Sequence, residues 1–168
     1  MQLPATFLII MSLLSLFAHA QPLQPGADAP ALTAINQDGE SVDFAAAYTK
    51  GLVLVYFYPK ANTPGCTAQA CSLRDSFADL QTDGLTVFGV SSDSPEAQKK
   101  FQEKYQLPFT LIADKDGSVA KAFGVPSVMG LTARQSFLIK DGKVVWSTPK
   151  ARTKDHAAEV REAIANLN

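Results

Sequence analysis

The chain has 168 residues, with 15 Lys and Arg against 16 Asp and Glu and a formal net charge of −1. This length predicts one domain, large enough to fold without a disulfide or metal framework. The near-neutral charge argues against a nucleic-acid or acidic-membrane partner, which would require an excess of basic residues. Two cysteines and two histidines are too few for a four-cysteine zinc site, and no metal or other cofactor is expected.

Residues 1–20 are typical of a secretory signal peptide. Met1–Ala20 contains no charged side chain, so every Lys, Arg, Asp and Glu lies in residues 21–168. The apolar run Phe7–Phe17 is shorter than the about 20 residues of a transmembrane helix, and it is followed by the cleavage pattern Ala18-His19-Ala20. We expect cleavage after Ala20, export to the periplasm or the medium, and a mature domain over 21–168 without a membrane segment. Because the n-region lacks Lys and Arg, the alternatives are an uncleaved anchor or a start codon placed too far upstream.

The first half of the mature chain predicts a hairpin, a buried strand and a helix. After a lead-in over Gln21–Pro30, Asp38-Gly39 forms the turn of a predicted β-hairpin. A seven-residue apolar run without alternation predicts a strand buried on both faces, and a Pro- and Gly-containing loop then leads into a helix. The predicted bounds are Ala31–Ile35 and Ser41–Phe44 for the hairpin, Leu52–Tyr58 for the strand, Pro59–Gly65 for the loop and Cys66–Leu80 for the helix.

Strands and helices alternate through the second half. The predicted elements are a strand over Leu85–Val90, a helix from Ser94 that ends before Pro108, a strand over Phe109–Ile112, a helix over Ser118–Phe123, an antiparallel hairpin of Ser136–Ile139 and Val144–Trp146 around Asp141-Gly142, and a helix over Asp155–Leu167. This order predicts an α/β fold of three layers, with a mostly parallel central sheet, an antiparallel edge hairpin and the N-terminal β-hairpin.

Cys66 is the first candidate for chemistry. It follows a strand, a loop and a candidate N-cap at Thr63, which places it in the first turn of the predicted helix. Unpaired N–H groups and the helix dipole favour an anion there, and a cysteine at such a position is activated because the thiolate is the nucleophile. The alternative is a small buried hydrophobic side chain, as most free cysteines are.

The second cysteine, Cys71, follows five residues later. In an unbroken helix the two residues differ by about 140° in direction and about 7.5 Å along the axis. Their Cα atoms then lie beyond the roughly 7 Å limit for a disulfide. A static bridge therefore requires a non-helical segment, which an exported protein would permit, and a transient bridge requires the helix to unwind. Zinc binding by this pair lacks two further ligands.

The residues around Cys66 resemble those of a known family. Pro59-x-x-x-Thr63-x-x-Cys66 is similar to the active-site motif of the peroxiredoxins, which are AhpC/TSA-like thiol peroxidases. The longer string from Tyr56 to Cys71 resembles the branch of bacterioferritin-comigratory protein and peroxiredoxin Q. The similarity extends over about residues 24–165 and includes the segment Arg134-Gln135-Ser136-Phe137-Leu138-Ile139.

This resemblance implies a thioredoxin-like fold and a role for each matching residue. Cys66 matches the peroxidatic cysteine, which attacks a hydroperoxide and becomes a sulfenic acid, and Cys71 matches the resolving cysteine, which condenses with it to an intramolecular disulfide. Thr63 matches the hydroxyl that orients the peroxide, Pro59 the proline that shapes and shields the loop, and Arg134 the guanidinium that donates toward the thiolate. The substrates implied are hydrogen peroxide and organic hydroperoxides, and the partner is a thioredoxin-like reductant. We expect a monomer.

Two other functions remain open from the residues alone. A thiol–disulfide oxidoreductase on the same fold would carry Cys-x-x-Cys at the helix start, where this chain has Thr63. A non-enzymatic secreted domain would use the two cysteines as a structural disulfide. His156, in the last predicted helix, is interpreted as a surface histidine, and Lys60 and Arg74 as solvated charges.

Overall fold

A computed structural model describes residues 21–167 as a five-stranded sheet between two layers of helices. The predicted signal peptide at 1–20 lies outside the described residues. The elements in chain order are β1 (Thr33–Ile35), β2 (Ser41–Asp43), α1 (Phe44–Tyr48), β3 (Val53–Phe57), α2 (Pro64–Asp75), α3 (Phe77–Thr82), β4 (Thr86–Ser91), α4 (Pro95–Tyr105), β5 (Thr110–Ala113), α5 (Ser118–Ala122), β6 (Ser127–Val128), β7 (Leu131–Thr132), β8 (Ser136–Lys140), β9 (Lys143–Thr148) and α6 (His156–Ala165).

The central sheet has the order β5-β4-β3-β8-β9. Strands β3, β4 and β5 are parallel to one another, whereas β8 and β9 form an antiparallel hairpin that continues the sheet from β3. A separate antiparallel pair, β1 and β2, forms the N-terminal hairpin. The predicted α/β fold class is therefore confirmed. The parallel part of the sheet consists of β3, β4 and β5, which lie on one side of β8.

Strand β3 separates two hydrophobic cores. All five of its residues are buried, and alternate side chains face opposite layers because successive residues of a strand point to opposite faces. Leu54 and Tyr56 pack with side chains of α2, α4 and α6. Val55 and Phe57 pack with side chains of α1 and α5. This burial on both faces explains why the sequence of β3 shows no alternation.

The helix predicted over Cys66–Leu80 is two helices. Helix α2 begins at Pro64 and ends at Asp75, and α3 begins at Phe77. Ser76 between them leaves the helical conformation, with φ −105° and ψ 8°. The break redirects the chain so that the ring of Phe77 packs against Phe109, with 5.8 Å between the ring centroids. The apolar residues keep helical spacing on both sides of the break, so the sequence pattern predicted one continuous helix.

Two further differences concern short elements. Phe44, predicted as the end of a strand, begins helix α1, because the Asp43 carboxylate caps the helix by accepting from the Ala46 N–H at 3.1 Å. The small hairpin of β6 and β7 was not predicted. Among the described residues, no helix is long and apolar enough to cross a membrane.

The interpretation of His156 as a surface residue is wrong. Its side chain is fully buried at the start of α6. The ring nitrogen Nε2 lies 3.1 Å from Oγ of Ser136, and Nδ1 lies 3.2 Å from a carboxylate oxygen of Glu159. Burial is possible because both polar atoms of the ring have partners.

Candidate active site

The loop after β3 is held by the ends of neighbouring strands. The Ala61 N–H donates to the carboxylate of Asp93, just beyond β4, at 2.7 Å. The Tyr58 carbonyl accepts from the buried Thr132 hydroxyl in β7 at 2.7 Å. These bonds tie the loop at two points, and Pro59, which is half-buried, lies between them.

A third attachment comes from α4 through Asn62. Its side-chain oxygen accepts from Lys104 Nζ at 2.8 Å and from the Tyr105 hydroxyl at 3.0 Å. Asn62 has φ of 60°, a left-handed conformation that asparagine tolerates better than most residues. The backbone therefore turns sharply here, directly before the residues that start α2.

Helix α2 begins at Pro64, with Thr63 in an extended conformation at the N-cap position. Proline is suited to this first position because its missing N–H has no intrahelical acceptor there. The first helical bond runs from the Thr67 N–H to the Thr63 carbonyl at 2.8 Å. The N–H groups of Gly65 and Cys66 are therefore the free donors of the helix N-terminus, which favours negative charge.

The thiol of Cys66 meets a guanidinium. Cys66 is 2 % exposed, and its Sγ lies 3.3 Å from Nη2 of Arg134, which precedes β8. The other terminal nitrogen, Nη1, donates to Oε1 of the buried Gln69 at 2.5 Å. Because a Cβ on Gly65 would lie 3.3 Å from Arg134 Nη2, the glycine leaves space for this approach. A fixed cation beside a sulfur at a helix N-terminus stabilises a thiolate.

Cys71 lies in the same helix and is free. It is partly exposed, whereas Cys66 is buried, and neither forms a disulfide. The prediction that both cysteines occupy one unbroken helix is confirmed, because α2 runs continuously from Pro64 to Asp75. The alternative of a permanent bridge in a non-helical segment does not describe this structure.

Two stacked tyrosines lie below the helix. Tyr56 and Tyr58 are buried with ring centroids 5.5 Å apart. Burial, together with Tyr58 and the negative charge that Cys66 and Cys71 can carry, holds the pKa of Tyr56 well above its ordinary value. Burial likewise raises the pKa of Tyr58. Both phenols therefore stay neutral and do not act as bases at physiological pH.

The structure brings Cys66 and Arg134 into direct contact, but it does not join every predicted residue to them. The Thr63 hydroxyl donates to the Lys60 carbonyl at 2.9 Å instead of capping the helix with its side chain. Pro59 lies in the loop upstream, and Cys71 stands more than one helical turn away. Within residues 21–167, no group of three or more His, Cys, Asp or Glu side chains is placed to hold a metal ion.

Sequence reasoning missed three residues that position this site. Gln69 holds Arg134, Asp93 holds the Ala61 N–H, and Asn62 receives the contacts from α4. A signal existed for Gln69, because it lies three residues after Cys66 and thus on the same helical face. A weaker signal existed for Asp93, which follows a parallel strand at the edge where β3 also ends.

The chain is similar in sequence and fold to proteins of one family. Residues 25–147 match the model of the AhpC/TSA family. Peroxiredoxin Bcp of Escherichia coli is 46% identical over 143 residues, which cover 80% of this chain and 91% of that protein. The crystal structure of peroxidoxin BcpB from Mycobacterium tuberculosis is similar with a TM-score of 0.81 and 28% identity, over 87% of this chain and 99% of that one. The bacterioferritin comigratory protein of Xanthomonas campestris has a TM-score of 0.78 and 27% identity, over 86% and 99%.

Proposed function

This chain belongs to the AhpC/TSA family and is a peroxiredoxin, a thiol peroxidase, and from that premise we propose that Cys66 is the thiol that attacks the peroxide. The observation that carries the proposal is the 3.3 Å contact between Cys66 Sγ and Arg134 Nη2 at the N-terminus of α2. The Cys66 thiolate attacks one oxygen of the O–O bond and becomes a sulfenic acid. The other oxygen leaves as an alkoxide or hydroxide and takes up a proton to give an alcohol or water.

Arg134, Thr63 and Pro59 serve this step in different ways. The Arg134 guanidinium donates toward the sulfur and toward the negative charge that grows on the leaving oxygen. The Thr63 hydroxyl turns its hydrogen from the Lys60 carbonyl to the bound peroxide and orients it for attack. Pro59 shapes the loop that limits access of water. The substrates are hydrogen peroxide and organic hydroperoxides; alkyl peroxide reduction is described for the Xanthomonas campestris relative.

Cys71 resolves the oxidised site. Its thiol attacks the sulfenic sulfur, a Cys66–Cys71 disulfide forms and water leaves. Because both residues lie in α2, part of the helix unwinds during each cycle. A thioredoxin-like dithiol then restores both thiols by disulfide exchange and is itself oxidised to a disulfide. We also propose that residues 1–20 direct export. The reducing dithiol must then be present in the periplasm or outside the cell. We further propose that the enzyme acts as a monomer.

One equivalent of hydrogen peroxide tests the mechanism. Intact mass spectrometry and thiol counting on the full chain are expected to show loss of both thiols and of two hydrogen atoms, with the bond mapped to Cys66 and Cys71. The Cys66→Ser variant is expected to leave peroxide unconsumed. In Cys71→Ser the sulfenic acid accumulates or oxidises further. Peroxide consumption by Cys66→Ser at the wild-type rate would refute the assignment.

Export requires a separate measurement. Expression of the full chain in a Gram-negative host, followed by fractionation and N-terminal sequencing, is expected to give a periplasmic or secreted product that starts at Gln21. Recovery of the intact chain in the cytoplasmic fraction would contradict export and leave the peroxidase chemistry untouched. The oligomeric state is measured by light scattering on the same product.

A further inference from the structure

Helix α6 makes a direct hydrogen bond to the helix that carries both cysteines. The N–H of Ala157 donates to Oγ of Ser72 at 3.1 Å. Ala157 is the second residue of α6, so its N–H has no acceptor within its own helix. Ser72 follows Cys71 directly in α2. The free donor of one helix is therefore satisfied by the residue next to the second cysteine.

The start of α6 is itself fixed by the buried His156. Both ring nitrogens are engaged, Nε2 with the Ser136 hydroxyl in β8 and Nδ1 with the Glu159 carboxylate. The Glu159 carboxylate also accepts from the Arg152 N–H at 3.1 Å. This bond holds the segment that precedes α6 against the first turns of the helix. Since Ser136 is two residues from Arg134, α6 is anchored on the strand that begins next to Arg134.

Two of the hydrogen bonds that hold α2, one near each cysteine, therefore respond differently to oxidation. Its first half is held by Arg134, which contacts Cys66 and Gln69. A bond to a thiolate is charge-assisted and weakens when the sulfur becomes a neutral sulfenic acid. The bond between Ser72 and Ala157 joins neutral groups, so oxidation of Cys66 leaves it unchanged.

We propose that the Ser72–Ala157 hydrogen bond, positioned by His156, controls the release of Cys71 after Cys66 is oxidised. This inference rests on the function proposed above. In this proposal the part of α2 that carries Cys71 unwinds to bring its thiol to Cys66, and a shift of Cys71 displaces Ser72 because adjacent Cα atoms stay about 3.80 Å apart. The bond thereby sets the competition between two reactions of the sulfenic acid. One forms the disulfide and water with Cys71, and the other consumes a second hydroperoxide and yields sulfinic acid and an alcohol or water.

The variant Ser72→Ala tests this directly in the full chain. Rapid mixing with hydrogen peroxide, acid quench and intact mass follow the sulfenic, disulfide and sulfinic forms with time. Oxidation of Cys66 is expected at the wild-type rate, whereas disulfide formation is about fivefold faster and the sulfinic fraction at excess peroxide falls, since one neutral hydrogen bond is lost.

Two further variants serve as controls. Ser72→Thr keeps the hydroxyl acceptor and is expected to restore the wild-type rate of disulfide formation. Ser76→Ala makes the same chemical change four residues later, at a side chain that forms no cap hydrogen bond, and is expected to behave as wild type. Equal rates of disulfide formation in Ser72→Ala and wild type would overturn the control by Ser72. Absence of the disulfide in the wild type would instead overturn the proposed function as well.

Amide hydrogen exchange gives a second measurement without substitution. The Ala157 amide is expected to be protected in the reduced protein and to exchange at least about tenfold faster in the disulfide form, because its acceptor has moved away. Unchanged exchange at Ala157 between the two forms would overturn the inference, even if the Ser72 variants fail to fold.

Discussion

At the scale of single residues, the proposed chemistry depends on how the guanidinium of Arg134 is held. Arg134 uses both terminal nitrogens, one on Cys66 Sγ and one on Gln69 Oε1, so its position is fixed in two directions. A lysine would bring the same charge without the planar pair of donors. The geometry of the guanidinium, and not only its charge, is therefore matched to the positions of Cys66 Sγ and Gln69 Oε1.

Replacing Arg134 is expected to slow the reaction of Cys66 with peroxide. Arg134→Ala removes a preorganised donor at the place where negative charge grows, and we expect a fall of about 100-fold in the second-order rate constant. The rate constant of Arg134→Lys is expected to lie between those of the wild type and Arg134→Ala. The matched control is Arg161→Ala, whose side chain is exposed and contacts Asp79 on the surface. Stopped-flow rates with hydrogen peroxide decide; a wild-type rate in Arg134→Ala would contradict the role given to this residue.

Removing the hydroxyl group is expected to have opposite effects on stability at the two stacked tyrosines, Tyr56 and Tyr58. The Tyr56 hydroxyl is buried and has no hydrogen-bond partner in the described part of the chain, whereas the Tyr58 hydroxyl donates to Gln98 at 2.5 Å. Tyr56→Phe is expected to leave the free energy of unfolding unchanged or to raise it by about 1 kcal/mol, because an unpaired polar group is removed. Tyr58→Phe is expected to lower it by about 1–2 kcal/mol, because Gln98 loses its donor. Urea unfolding compares them, and a larger loss in Tyr56→Phe would contradict the assignment.

At the scale of elements, local sequence patterns predicted where the strands of the central sheet lie but not how the helices pack. The apolar run of β3 and the Asp141-Gly142 turn depend on neighbours along the chain, and both are found as predicted. The break at Ser76 and the burial of His156 depend on residues distant in sequence, Phe109 and Ser136. The spacing of apolar residues along a helix does not predict either of these contacts. For the same reason Arg134 was assigned by family resemblance alone.

The loop before α2 is an element whose rigidity is expected to matter for rate. Asp93 accepts from the Ala61 N–H and from the Ser91 hydroxyl, both at 2.7 Å. Asp93→Ala removes this attachment, and we expect the reaction with peroxide to slow about 10-fold because the loop no longer holds Thr63 and Cys66 in the productive geometry.

Asp93→Asn keeps an acceptor oxygen and is expected to retain most of the rate, which separates loss of the contact from loss of charge. Stopped-flow rates measured together with thermal unfolding distinguish a local effect from general destabilisation. An Asp93→Ala protein with the wild-type rate would show that the attachments from Thr132 and α4 are sufficient.

At the scale of the whole molecule, the N-terminal segment covers both edges of the sheet. Along β9, the Gly26 N–H donates to the Val144 carbonyl at 2.8 Å, and the Val144 N–H donates to the Ala27 carbonyl at 2.9 Å. Along β5, the Gln37 side chain accepts from the Leu111 N–H at 2.8 Å. Unpaired edges are templates for association with other chains. The predicted lead-in over residues 21–30 therefore pairs with the β9 edge of the sheet.

Truncation tests this role of the N-terminal segment. A chain that starts at Gln21 keeps every contact described for β9, whereas a chain that starts at Ala31 loses the pairing of Gly26, Ala27 and Ala29. These three backbone hydrogen bonds and a fourth, from the Leu23 N–H to the Phe123 carbonyl, are lost. At about 1 kcal/mol each, their loss lowers the melting temperature by roughly 10–15 °C in a domain of this size. Exposure of β9 is expected to increase aggregation, measured by light scattering during the same thermal scan. Equal melting temperatures for the two chains would show that the edge pairing contributes nothing to stability. A loss of peroxidase activity at 25 °C that exceeds the unfolded fraction would show that the segment also supports the site, through the β9–β8 pairing next to Arg134.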